Sequence, residues 1–204
     1  FRTARELSGL GVRQADGSTA AGLPSSLVAI GQDAFTESGL RSIDLPASVR
    51  SVGYGAFAEV PKLSHVGLNE GLVSIGEFAF NNIGISELSI PDSVTTVAGS
   101  AFGGNGSLTR VHIGRGVAAG QLSSVFAGSP QLGAFTVDPA NASYEAVDGV
   151  LYSKDHTSLV AYPAAKGNGG TYTVLDGTIR IEPSAVFGAA LTGIVLPDSL
   201  RSIG

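Results

Sequence analysis

Leu45-Pro46-Ala47-Ser48-Val49-Arg50-Ser51-Val52-Gly53-Tyr54-Gly55-Ala56-Phe57, followed by Leu63, Val66 and Leu68, decides the fold because it recurs down the chain. The copy before it has Leu23-Pro24, Leu27, Ile30-Gly31, Ala34-Phe35, Leu40, Ile43 and Leu45. The copies after it have Leu72, Ile75-Gly76, Ala79-Phe80, Ile85 and Leu88, then Ile90-Pro91, Ser93-Val94, Val97, Ala101-Phe102, Leu108 and Val111. Repeat starts at 23, 45, 68, 90, 113 and 137 are spaced by 22, 23, 22, 23 and 24 residues. A unit this short cannot bury its own apolar side chains, so the units must stack into a solenoid.

Each unit has a physical reading. The Leu-x-x-Ile-x-Leu run ending at Leu45 alternates like a half-buried strand. Proline directly after it stops the strand and starts a turn. Val-x-x-Ile-Gly is a second short extended segment, with glycine expected there to turn the backbone. Ala-Phe follows in a helical or tight turn. Phe35, Phe57, Phe80, Phe102 and Phe126 are predicted to stack as an aromatic spine, with Val186 substituting later.

The pattern departs from regularity in three places. The fifth copy loses the Ile-Gly step to Ala118-Ala119-Gly120. Residues 138–173 interrupt the period before copies resume at Val174 and Leu196. Phe1, Leu7, Leu10 and Val12 repeat the offsets of Phe57, Leu63, Val66 and Leu68, which makes 1–12 a partial repeat followed by an insert at 13–22. The expected organisation is one solenoid segment over 1–204: the partial repeat, repeats at 23–137, an insert at 138–173 and repeats at 174–204. Neither end reads as a capping unit, so the expectation is a piece of a longer protein, truncated at both ends.

The pattern Leu-Pro-x-Ser-Val-x-x-Ile-Gly-x-x-Ala-Phe resembles the BspA-like (Treponema pallidum type) leucine-rich repeat. The stretch Val147 to Asp155 followed by Leu159-Val160-Ala161-Tyr162-Pro163 is similar to a hairpin insert that recurs in that family. The resemblance implies a leucine-rich-repeat solenoid, a β-rich right-handed superhelix with short strands, short helical turns and a β-hairpin insert. It further implies a parallel concave sheet and a bacterial protein that is secreted or attached to the cell surface. Some members adhere to host matrix proteins or other cells, so a matrix or cell-surface protein or a glycan is the implied partner. The family carries no catalytic residues or cofactor to transfer.

Composition narrows the chemistry. Cysteine, methionine and tryptophan are absent, which removes disulfides, thiolate metal sites and a cysteine nucleophile. A net charge of −5 argues against nucleic acid and anionic membrane surfaces. No apolar run approaches a spanning helix, so no direct membrane insertion is expected. Charged residues are only 14% and glycines number 29, as expected where core, turns and close coil contacts fill each repeat. His65, His112 and His156 lack metal-ligand spacing, and no Gly-x-Ser-x-Gly elbow occurs. The glycine-rich stretches at 103–106 and 167–170 lack the Gly-Lys-Ser/Thr ending of a phosphate loop and read as turns. Asp138, Asn141 and Asp148 cluster oxygens without a calcium-loop pattern, while Asn105 and Asn141 begin glycosylation-type triplets.

The candidate interaction surface is the concave sheet. Residues one repeat apart become neighbours about 4.8 Å apart on the same face. One outward ladder is Ser42, His65, Glu87, Arg110 and Ala134; the next is Asp44, Gly67, Ser89, His112 and Thr136. Glu87 is thereby expected between His65 and Arg110 in a charge ladder. The bland reading is a solubilised sheet face, since aromatic and arginine hot-spot types are few. Tyr144, Tyr152 and Tyr162 of the insert either pack on the solenoid or offer a partner an aromatic platform. The leading function is a non-catalytic protein-interaction or adhesion module, binding through the concave sheet or the insert. The alternative is a structural spacer that positions neighbouring domains.

Overall fold

The computed structural model of the chain describes residues 9–13, 19–167 and 169–204. Successive coils stack through two parallel ladders. The short ladder joins Ala29–Ile30, Ser51–Val52, Ser74–Ile75 and Thr96–Val97, with Ile30, Val52, Ile75 and Val97 in register and buried. The long ladder joins Ser42–Asp44 to His65–Gly67, and Glu87–Ile90 to Arg110–Ile113 and Ala134–Val137. Burial alternates along its strands, exposed–buried–exposed–buried in Glu87–Ile90, as the sequence alternation requires. Between the ladders the chain turns without forming a helix among the described residues, so the short helical turns are tight turns instead.

Phe35, Phe57, Phe80 and Phe102 stack nearly parallel at centroid separations of 5.1, 5.2 and 5.3 Å, and Phe126 follows at 6.1 Å. The spine then bends: Phe126 meets Phe135 edge-on at 5.3 Å. Val186 holds the phenylalanine's repeat position but is 37% exposed. In the coil before Val186 the backbone place of the phenylalanine is taken by Tyr162. Its N–H donates to Ala185 O as the Phe57 N–H donates to Ala79 O. Only two residues separate Leu159 from Tyr162, against four between Ile30 and Phe35, and this shorter turn hides the equivalence from a periodicity count.

Two conformational rules repeat around each spine residue. The residues two before it, Asp33, Gly55, Phe78, Ser100, Ser124 and Ser184, all have positive φ. So do those two after it: Glu37, Glu59, Asn82, Gly104, Gly128 and Gly188. The Ile-Gly glycines obey a different constraint from the expected backbone turn. Gly53 and Gly76 are not among the positive-φ residues. A Cβ on Gly76 would instead sit 2.7 Å from Gly53 C and 2.8 Å from Tyr54 N, so glycine is there because adjacent coils approach too closely for any side chain.

The stretch 138–173 divides in two. Tyr144–Val147, Val150–Ser153 and Ser158–Ala161 form an antiparallel meander. Its last strand pairs in parallel with Arg180–Ile181, which pairs with Ser202–Ile203, so the short ladder resumes at Ser158. Gly170–Thr173 pairs in parallel with Leu191–Val195, resuming the long ladder. The hairpin is thus an insertion ahead of a coil that begins well before Val174. It repairs the weakened fifth coil: the Tyr144 hydroxyl accepts hydrogen bonds from Gln121 N at 2.9 Å and Leu122 N at 3.2 Å, just past the missing Ile-Gly step. Two apolar cores result, one from Ile30 to Val160 and one from Val150 to Ala185.

Near the start, Gly11–Arg13 and Thr19–Ala21 form an antiparallel pair that joins the end of the expected partial repeat to the expected insert. Leu10 packs on the first core, while Phe1 and Leu7 of the expected partial repeat lie outside the described residues.

Candidate interaction surface

The long ladder brings the outward residues into register: Ser42 beside His65, Asp44 beside Gly67, Glu87 beside Arg110 beside Ala134, and Ser89 beside His112 beside Thr136. Ser42, Asp44, His65, Glu87, Ser89, Arg110 and Thr136 are exposed and His112 is half-buried. Strand pairing is not continuous from His65–Gly67 to Glu87–Ile90, so the face consists of two adjoining panels.

The expected His65–Glu87–Arg110 charge ladder does not form. His65 Nε2 instead pairs with Asp44 Oδ1 at 2.9 Å. Gly67 permits this, because a Cβ there would collide with the Asp44 carboxylate as it leans across. Both partners are well exposed, at 60% and 80%, so the pair contributes at most about 1 kcal/mol. Among the described residues no ion pair joins Glu87 to Arg110. His112 Nδ1 lies 3.0 Å from the Thr136 hydroxyl, which orients the imidazole along the face.

Continuing the register two residues past the strands finds a pair the ladders missed. Arg115 lies one coil from Asp92, with Arg115 N donating to Asp92 Oδ1 at 3.0 Å and its guanidinium reaching Asp92 Oδ2 at 2.7 Å. The backbone hydrogen bond, followed by the guanidinium charge, holds the Asp92 carboxyl below its ordinary range. A cleft of about 390 Å³ adjoins the C-terminal panel, where Thr136 and Asp138 face Glu145 and Lys154 of the hairpin. Glu145 is pinned by His156 at 3.0 Å and Lys154 at 4.0 Å.

The insert tyrosines belong to the interior. Tyr144, Tyr152 and Tyr162 are 2%, 0% and 6% exposed. Tyr152 and Tyr172 hydroxyls meet at 2.6 Å, and the Tyr162 ring lies 4.6 Å from that of Tyr172. Burial raises the Tyr144 and Tyr172 phenols above their ordinary pKa, so both stay protonated. The aromatic platform for a partner therefore does not exist at these residues, and they tie hairpin to solenoid.

The remaining oxygen and amide candidates also have structural duties. Asn105 is fully buried; its Oδ1 accepts from Ile83 N and its Nδ2 donates to Phe80 O and Phe102 O. Asn141 is buried and bonds Gly114 O, Ser143 N and Tyr144 N. Neither amide is open to glycosylation. Asp138 caps Ala140 N and Asp148 pairs with Lys166 at 2.9 Å, so the suggested calcium oxygens serve other partners. Among the described residues no three or more His, Asp or Glu converge as a metal site, and no helix is long and apolar enough to cross a membrane.

Comparison with known proteins agrees with this architecture. A leucine-rich repeat protein from Eubacterium ventriosum superposes with a TM-score of 0.78 at 24% identity, covering 89% of this chain and 48% of that one. The pneumococcal vaccine antigen PcpA superposes with a TM-score of 0.61 at 28% identity, covering 87% of this chain and 39% of that one. A leucine-rich cell surface protein from Faecalibacterium prausnitzii gives a TM-score of 0.52 at 22% identity, covering 97% and 71%. The chain thus spans half or less of the length of the first two. No curated protein matches it. The BspA type leucine-rich repeat region matches residues 19–144 in six copies, and the chain belongs to that family.

Proposed function

We propose that this chain is a non-catalytic interaction module of a secreted or surface-attached bacterial protein, adhering to a matrix or cell-surface protein or glycan through its long-ladder face. The observation that carries this reading is the panel of Glu87, Ser89, Arg110, His112 and Thr136. Parallel pairing over the buried Leu88, Ile90, Val111, Ile113 and Phe135 holds their backbone in register, while Glu87, Ser89, Arg110 and Thr136 face outward. Repeating coils make such a face an extended binding surface. The names of two relatives, a cell surface protein and a vaccine antigen, are in keeping with an exposed location.

The test is retention of the chain on immobilised matrix proteins and cell-surface glycans, compared with a variant carrying Glu87→Ala, Arg110→Ala and His112→Ala. Saturable retention that falls at least tenfold in the variant is the expected result. Absence of retention on every surface overturns the reading and favours the spacer. The spacer is favoured independently by the scarcity of large side chains on the ladder, where Arg110 is the only arginine among the described residues.

A further inference from the structure

The cleft beside the C-terminal panel lies between two strand edges that face each other without pairing. Ala134–Val137 is the last strand of its panel and Tyr144–Val147 the outer strand of the meander. Asp138 N donates back to Ile113 O, so the alternate residue Val137 turns its own N–H and C=O away from the panel. Lys154 N donates to Ser143 O and Val147 pairs with Val150, so Ala146 likewise directs its backbone away from the meander. Both sets of backbone groups are turned to the cleft that Val137 and Ala146 line, and no hydrogen bond joins these two residues.

The walls are fixed at both ends. At one, Phe135 N donates to Gly149 O at 2.9 Å. At the other, the buried Asn141 Oδ1 accepts from Ser143 N and Tyr144 N, each at 2.8 Å. The Tyr144 side chain runs into the core to its partners Gln121 N and Leu122 N, which anchors its strand on the far side of the cleft. A site built this way loses little freedom on binding. Side chains add to its polar groups. Asp138 Oδ1 accepts from Ala140 N, and Glu145 Oε2 faces His156 and Lys154, so Asp138 Oδ2 and Glu145 Oε1 remain as acceptors. Lys154 stands 4.0 Å from Glu145, too far for a hydrogen bond, so its ammonium remains a donor. Val137 and Pro139 supply apolar surface between these groups.

We propose that this cleft binds one pyranose unit of a cell-surface glycan. It offers the Val137 and Ala146 N–H groups and the Lys154 ammonium as donors, with the Val137 and Ala146 carbonyls and two carboxylate oxygens as acceptors. An anion would leave the acceptors unmatched and a cation the donors, and unmatched polar groups cost affinity. A sugar hydroxyl both donates and accepts, so a ring carrying several of them answers the mixed set. Its C–H groups suit the apolar surface between. A space of about 390 Å³ is of the size that takes a small molecule. The inference rests on the adhesive reading of the adjoining face for its use in the cell, and narrows the partner there to a glycan.

The test titrates the whole chain with the methyl glycosides of glucose, galactose and mannose, and with methylammonium and acetate, following backbone amide resonances by NMR. At least one glycoside is expected to bind saturably at about 1 mM, with shifts centred on residues 137, 138, 145 and 146. Asp138→Asn, which keeps the oxygen that caps Ala140 N, and Lys154→Met at an exposed position should each weaken it roughly three- to tenfold. Thermal melting should show both variants folded, and Thr95→Ala on the flank of the short ladder should leave binding unchanged. The proposal fails if no glycoside saturates, if methylammonium or acetate saturates these amides instead, or if both variants bind as well as the parent. Retention on a surface protein that the Glu87, Arg110 and His112 variant loses, with no glycoside shift at the cleft, overturns this proposal and leaves the adhesive face standing. Glycoside binding at the cleft with no retention on any surface upholds the cleft and removes the adhesive reading.

Discussion

Replacing Phe80 by alanine removes the ring at the middle of the spine. Phe80 is fully buried and lies between Phe57 at 5.2 Å and Phe102 at 5.3 Å, within 5° of parallel to both. Truncating an enclosed phenylalanine costs about 3–5 kcal/mol in lost transfer energy and residual cavity. Two stacked contacts, each worth roughly 0.5–1.5 kcal/mol beyond area, place this site in the upper part of that range. For a chain of 204 residues, about 2–4 °C per kcal/mol makes the expected fall in melting temperature on the order of 10–15 °C. Phe80→Leu keeps most of the volume and should cost about 1.5 kcal/mol. Val186→Ala, in the same repeat position but 37% exposed, should cost less than about 1 kcal/mol. Urea and thermal unfolding followed by circular dichroism measure all three. Because each coil is stabilised by its neighbours, the Phe80→Ala transition should also broaden. A cost at Phe80 no larger than that at Val186 would refute the stacked spine.

Gly76→Ala should cost at least about 2 kcal/mol in the same unfolding assay, because its Cβ would meet Gly53 C at 2.7 Å. Gly188→Ala, at φ +69° with nothing within 4 Å, should cost only the backbone penalty of about 1–2 kcal/mol. Asn105→Ala strands Ile83 N and the Phe80 and Phe102 carbonyls inside the stack. Urea midpoints should record a loss of about 3 kcal/mol. Stability should also fall at both pH extremes in a melting series. The raised Tyr144 and Tyr172 phenols give stability that is complete below the ordinary tyrosine pKa of about 10 and lost as pH rises above it. The lowered Asp92 and Asp155 carboxyls, the latter held by Ser153, give stability that is complete above about pH 4 and lost below it. A melting temperature still flat between pH 9 and 12 would contradict the buried phenols.

Spacing alone carried much of this architecture. A period of 22–23 residues fixes which side chains stack, so the spine from Phe35 to Phe126 and the pairing of Glu87 with Arg110 follow from counting. Counting fails where the period slips. The insertion and the shortened turn before Tyr162 hid that residue's place in the coil before Val186. Register also places side chains without saying which way they lean, so it offered His65 to Glu87 when the bare Gly67 lets Asp44 take it. The repeated positive φ was masked by Asp, Glu, Phe, Asn and Ser at positions where glycine would have signalled it. The task of Tyr144, capping a coil 22 residues earlier, exists only in three dimensions.

The absence of cysteine makes the faces separable by single thiols. Ser89→Cys marks the long-ladder face and Thr95→Cys the exposed flank of the short ladder, and each is alkylated with and without a surface protein or glycan that retains the chain. If the long ladder is the adhesive face, bound partner slows alkylation at position 89 at least tenfold and leaves position 95 unchanged. Equal rates at position 89 with and without partner, or protection at position 95 alone, would contradict it.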